Sequence, residues 1–178
     1  MILDHVALVL ADIEPVRRAL TDAGLPVAPV EEFAGENTRE SYVEIAPARV
    51  LLTQPRSNRG PIAKHLERRG PGFHHVAFQT TDVRAALARL GWEACPSTER
   101  SLTRGGPAWV LRRAGGVLVE LMPVAALQPP DGPAAFRRVV IEGPWPIAVP
   151  LVESRTGSGG VAHVELSVGR LDARGLTR

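Results

Sequence analysis

Asp4-His5-Val6-Ala7-Leu8-Val9-Leu10 is written again, with small changes, as His74-His75-Val76-Ala77-Phe78-Gln79-Thr80 and as Ala162-His163-Val164-Glu165-Leu166-Ser167-Val168. Each copy runs into an acidic residue and a helix signal: Asp12-Ile13-Glu14, Asp82-Val83-Arg84 and Leu171-Asp172-Ala173. An internal repeat sets the architecture, because one small unit cannot bury its apolar face alone and paired copies bury it for each other. The repeat also carries chemistry. Each copy places a histidine at the same point of a β-strand, and two such strands brought together by pseudo-symmetry hold half of a metal site.

Working outward from the first copy, residues 2–10 read as a buried strand. Asp12 is a candidate N-cap, and Ile13, Val16 and Leu20 recur at helical spacing up to Gly24. A weakly written strand is expected over 27–33. Residues 38–45 and 49–53 read as a hairpin turning at Ala46-Pro47-Ala48. A short helix over 61–69 then leads to the second copy. That copy repeats the pattern: strand 73–80, helix 82–90, a weak strand 92–95, then strands 108–112 and 117–122 around a Gly115-Gly116 turn. The expected fold class is therefore α+β, with two βαβββ modules that pair to bury one face against each other. Module one spans 1–56, a connecting helix 57–72 and module two 73–125.

After Pro123 the text changes. Residues 128–133 read as a linker, 139–142 and 147–152 as strands, and 156–160 as a Gly/Ser turn. The third histidine strand and a helix start follow, so 126–178 is expected to be a linker and a partial third module. A full copy would need roughly 35 further residues. These strands are expected to extend the sheet or to cover a cleft between the modules, in the same chain or in a partner subunit.

Bulk composition excludes several function classes. Hydrophobic residues make up 44 % and charged residues 22 % of 178 residues, a globular balance. Lys plus Arg number 21 against 19 Asp plus Glu, and no basic cluster with interleaved aromatics marks a nucleic-acid surface. One cysteine, Cys95, rules out an internal disulfide framework and fits a reducing compartment. The apolar start is broken by Asp4 and His5 and reads as a first strand, not a signal peptide. No apolar run reaches the ~18 residues of a membrane span. A cytoplasmic protein is expected, with a small-molecule substrate and a second copy of itself as partners, and with neither nucleic acid nor membrane.

His5 and His75 share one register, 75 − 5 = 70 residues apart. A lone strand histidine is most often structural, and the matched repetition is what argues for a metal. Glu120 is a carboxylate in the otherwise apolar run 117–122, where it needs a partner or a cation. His5, His75 and Glu120 together give two imidazoles and one carboxylate with positions open for substrate. The expected cofactor is a divalent ion: Co, Zn, Ni, Mn or Fe.

The stretch Gly60-Pro61-Ile62-Ala63-Lys64-His65-Leu66-Glu67-Arg68-Arg69-Gly70-Pro71-Gly72-Phe73-His74-His75-Val76-Ala77 closely resembles the "SPIAKFLEKKGEGIHHIA" motif of methylmalonyl-CoA epimerases, members of the vicinal oxygen chelate superfamily. Asp4-His5-Val6-Ala7 is similar to that family's opening "DHVA", and Gly115-Gly116-Val117-Leu118-Val119-Glu120-Leu121 to its closing "GGVLIEL". The resemblance covers about residues 1–124. It implies glyoxalase-like paired βαβββ modules forming an open, curved mixed sheet around a divalent metal, with His5, His75 and Glu120 at ligand positions and Glu40 near the position of the catalytic base. It also implies Glu120 as a second base.

His74 is expected on the opposite face from His75, in a structural role. One departure stands out: Leu51 occupies the position of the family's fourth ligand. That leaves three outcomes open: a three-ligand metal, substitution by Glu44 or Gln54, or loss of the metal. Arg100, Arg104, Arg112 and Arg113 are candidates for CoA phosphates, and Trp92, Trp109 and Trp145 for an apolar pocket.

The leading expectation is a metal-dependent isomerase or lyase, nearest to an epimerase working through a metal-stabilised enolate. A ring-cleaving Fe(II) dioxygenase and a non-enzymatic small-molecule binder, of the antibiotic-resistance type, are the alternatives.

Overall fold

A computed structural model describes residues 1–91, 98–101, 107–114, 117–124, 135–143, 149–157, 160–172 and 174–177. Module one runs β1 (Ile2–Val9), α1 (Glu14–Asp22), β2 (Glu31–Phe33), β3 (Thr38–Ile45) and β4 (Ala48–Pro55). After α2 (Pro61–Arg69) the order repeats as β5 (Gly72–Thr80), α3 (Val83–Arg89), β6 (Thr98–Ser101), β7 (Pro107–Ala114) and β8 (Val117–Pro123). Both modules are βαβββ, as the repeat implies.

Local signals explain the helices. Asp82 caps α3 by accepting the Ala85 N–H at 3.0 Å. Asp12 instead accepts the N–H of Glu14, and Ile13 takes the cap position of α1. Gly60 precedes α2 at φ +95°, a conformation that a side chain would strain, with Pro61 as the first helical residue.

The modules join into one eight-stranded sheet in the order β2-β3-β4-β1-β5-β8-β7-β6. Its centre is the antiparallel pair β1–β5, where the pseudo-dyad lies. Each of these strands is flanked by a parallel partner, β4 beside β1 and β8 beside β5.

Alternation sorts the side chains onto two faces. Val6, Leu8, Val43, Val50, Leu52, Val76, Phe78, Val119 and Leu121 enter the main apolar core, with Ile13, Val16 and Leu20 of α1 and Ala86 of α3. Ala7, Tyr42 and Leu51 form a separate small cluster on the other face, where His5, Glu40, His75 and Glu120 also fall by register. This polar face in mid-sheet is the place to look for chemistry.

The C-terminal part forms a second sheet of its own. Its strands are β9 (Phe136–Glu142), β10 (Val152–Arg155), β11 (Gly160–Leu166), β12 (Gly169–Asp172) and β13 (Gly175–Thr177), in the order β10-β9-β11-β12-β13. Phe136, Val139, Ile141, Val164, Leu166 and Leu171 share the main core with α1. The N–H groups of Ala135 and Phe136 both reach the carbonyl of Ala46, tying this sheet to the β3–β4 turn. Within the chain it does not extend the large sheet, contrary to that part of the expectation from sequence, because its strands pair with one another. It packs on the helix-bearing side.

Where a helix start is expected at 171–173, the described residues 171 and 172 belong to strand β12 instead. Leu171 is fully buried opposite Val164, and a hairpin with Gly169 at φ +146° brings it there. The expected strand at 92–95, the 115–116 turn and the 128–133 linker lie outside the described residues, and the described part of the 147–152 expectation begins a strand only at Val152.

Candidate metal centre

Three donors converge where the modules meet. His5 Nε2 lies 3.0 Å from His75 Nε2, and Glu120 Oε2 lies 3.8 Å from the first and 3.5 Å from the second. His5 is 2 % and Glu120 7 % exposed. All three separations fit one shared ion, since donors bonded at about 2.1 Å can stand no more than about 4.2 Å apart. Among the described residues this is the one such cluster, and it could hold a metal ion.

Two β-bulges create it. Across β1–β5, Leu3 faces Phe78 and His5 faces Ala77, leaving Asp4 as an extra residue. The dyad repeats the device: Ala7 faces His75 and Leu8 faces Phe73, leaving His74 as the extra residue. A bulge turns an added side chain toward its neighbour's face. Asp4 Oδ1 thus accepts His5 Nδ1–H at 2.6 Å, and His74 Nδ1 lies 2.9 Å from His75 Nδ1. His74 does not sit on the opposite face away from His75, because strict alternation fails at a bulge.

The hydrogen-bonded support around His5 is polar, and Asp4, Arg49 and Gln79 in it are buried. The second oxygen of Asp4 accepts from Arg49 Nη1 at 3.1 Å and from Gln79 Nε2 at 2.6 Å. Arg49 Nε in turn donates to Glu44 Oε2 at 2.6 Å. Burial works to raise the Asp4 carboxyl, but the hydrogen bond and charge of His5, then Arg49 and Gln79, hold it below the usual carboxylate range. Burial likewise works to lower His5, and Asp4, Glu120 and Glu40 outweigh it and raise the imidazole.

The fourth position is answered by register. Ala77 faces Glu120 in β8, and its dyad mate Ala7 faces Leu51 in β4. Leu51 therefore stands where symmetry would put a second carboxylate, packed with Ala7, Tyr42 and Ala28. Neither Glu44 nor Gln54 replaces it. Glu44 is bound to Arg49, and Gln54 Oε1 accepts the Ile13 N–H at the start of α1, 3.1 Å away. Three donors remain.

Glu40 lies on the same face and is 6 % exposed, so it is not a solvated strand charge. Burial pushes its carboxyl from 4.5 up to about 7, helped by Glu36 and Glu120 and opposed by Thr38 and His5. Thr38 Oγ1 donates to Glu40 Oε1 at 2.9 Å. Across the ladder from Glu40 stands Thr53, whose buried Oγ1 has no hydrogen-bond partner among the described residues. The ring of Tyr42 meets that of His5 edge-on, 5.8 Å between centroids.

The family model for the glyoxalase/bleomycin resistance protein/dioxygenase superfamily matches residues 4–106. The chain belongs to that superfamily. Solved structures agree with the membership. Methylmalonyl-CoA epimerase from Mycobacterium tuberculosis is 29% identical with a TM-score of 0.58, over 68% of this chain and 86% of that one. A substituted Streptomyces coelicolor methylmalonyl-CoA epimerase in complex with 2-nitronate-propionyl-CoA is 25% identical with a TM-score of 0.61, over 71% of this chain and 99% of the other. A methylmalonyl-CoA epimerase in complex with methylmalonyl-CoA and NH4+ is 26% identical with a TM-score of 0.60, over 72% and 97%. No curated protein sequence matches the chain.

Within the superfamily frame, Asp4, Arg49 and Gln79 surround the candidate site without having been singled out by the sequence, and His74, expected in a structural role away from His75, joins them. Their signal lay in how β1 pairs with β5 and with β4. The arginine and tryptophan candidates are not part of this picture: Trp92, Arg104 and Trp145 lie outside the described residues, as do the side chains of Arg100, Trp109, Arg112 and Arg113. No described helix is long and apolar enough to cross a membrane.

Proposed function

We propose that the chain is a metal-dependent isomerase that moves a proton at the carbon next to an acyl-CoA-like thioester. The carrying observation is a buried carboxylate, Glu40, poised near neutral pH on the same face as the His5–His75–Glu120 donors. The epimerases that this chain is similar to point to the same substrate class.

His5, His75 and Glu120 would hold a divalent cation, and such a cation, when bound, would supply the positive charge that makes a proton beside a carbonyl acidic. Glu40 takes that proton. Its Oε1 is engaged by Thr38, which leaves Oε2 to accept. The C–H electron pair moves into the carbonyl as the proton leaves, giving an enolate. A proton delivered to the opposite side of the same carbon inverts the centre; Glu120, entering the step protonated, is the group for that delivery, after which Glu40 releases its proton to solvent and Glu120 takes one up. A base near pKa 7 is well matched to both directions, because it neither holds nor releases its proton too strongly. Thr53 offers a hydroxyl to a substrate oxygen, and the buried Ala7, Tyr42 and Leu51 surface bounds the space beside it.

The test is exchange of the 2-proton of methylmalonyl-CoA in D2O. Wild-type protein loaded with Co2+ should exchange it. Glu40→Gln should lose about 10²-fold or more in rate, the usual share of general-base catalysis. His75→Ala should lose both metal and exchange. Full exchange by His75→Ala would overturn the proposal.

Leu51 favours a second reading, a ring-cleaving Fe(II) dioxygenase, because two histidines and one carboxylate without a fourth donor suit non-haem iron. Iron-dependent oxygen uptake with catechols separates the two.

A further inference from the structure

The two bulges put chemically different residues in equivalent places. In module one the extra residue is Asp4, and its carboxylate accepts His5 Nδ1–H at 2.6 Å. In module two it is His74, with Nδ1 2.9 Å from His75 Nδ1. A histidine that offers Nε2 to a cation keeps its ring proton on Nδ1, and the group that receives this proton fixes tautomer and ring orientation. His75 Nδ1–H then donates, His74 Nδ1 accepts, and His74 carries its own proton on Nε2. The His74 ring is itself seated by His65 of α2, edge-on with centroids 5.1 Å apart.

On the metal reading above, we infer that His74 is the positioning residue of His75, as Asp4 is of His5, and that the two imidazoles are unequal donors. His5 is backed by an anion that Arg49 and Gln79 hold in place from the other side. His75 is backed by a neutral ring. The acceptor at position 74 thereby sets how firmly the second module grips the ion.

The experiment is a Co2+ titration against a competing chelator, with the cobalt absorption spectrum recorded, on wild type and on His74→Leu, His74→Asn, His74→Asp and His75→Ala. Leu is close to His in size and accepts nothing, while Asn and Asp each bring an acceptor oxygen. Near-ultraviolet circular dichroism of the metal-free proteins establishes that each is folded. His74→Leu should bind Co2+ 10–100-fold more weakly, the usual cost of removing a ligand's outer partner. His74→Asn should stay within a few-fold of wild type, and His74→Asp, which copies module one, should bind most tightly. A His74→Leu protein as tight as wild type, beside a His75→Ala protein that binds nothing, overturns the positioning role and leaves the metal centre standing. Asn and Asp variants as weak as Leu also overturn it. Equal uptake by wild type and His75→Ala overturns the metal centre and this inference together.

Discussion

Replacing Glu40 by Gln should make the metal-free protein more stable, and increasingly so as pH rises. Glu40 is almost wholly buried, and its carboxyl is pushed from 4.5 up to about 7. Between these two values the folded chain keeps a proton that the unfolded chain has released. The unfolded state binds fewer protons there, so stability falls with rising pH. The loss begins above 4.5, the unfolded value, and is complete once pH exceeds about 7, the folded one. At 1.36 kcal/mol per unit, that shift costs about 3 kcal/mol. Glutamine has the same shape and cannot ionise, so it escapes the cost. Urea unfolding of both proteins in EDTA, from pH 4 to 9, measures the difference. The stability gap should widen by about 3 kcal/mol across the window and then level off. A gap that stays constant over the whole range would refute the claim that burial holds Glu40 near neutrality.

Leu51→Gln should restore a fourth donor and tighten Co2+ binding tenfold or more in the chelator assay, while the metal-free protein loses about 1–3 kcal/mol because an amide enters an apolar cluster. Thr53→Val should leave stability unchanged or raise it by about 1 kcal/mol in urea, because it removes a buried hydroxyl without a described partner. Arg49→Met should destabilise by about 3–5 kcal/mol, since Asp4 would be left as a buried charge with less to balance it. Deleting residues 126–178 should expose the α1 face on which β13 sits and the core that β9, β11 and β12 share, and size-exclusion chromatography should then find aggregates. A well-behaved monodisperse product would show that sheet to be dispensable.

His5, His75 and Glu120 were legible because their signals are local: period-two strands, a repeat in register, and one carboxylate in an apolar run. Leu51 stood out through the motif and returns through the dyad. Asp4 and His74 were not legible, because a bulge is a property of two strands paired across some seventy positions. Nothing near His74 in the chain announces that the alternation slips there. The same limit produced the false helix at residue 171: an acid and an alanine suggest a helix start, whereas burial of Leu171 against Val164 decides for a strand.

The central β1–β5 ladder is also the seam between the two halves of the molecule. One donor, His5, comes from one side of it, and two, His75 and Glu120, come from the other. An ion shared among them would act as a rivet through that seam. At a thousand times its Kd it would add about 4 kcal/mol to the folded state, all of it conditional on the two strands keeping their register. A slip of β1 by a single residue would turn His5 into the apolar core and undo the rivet at once. Cation uptake would therefore report the alignment of the two halves.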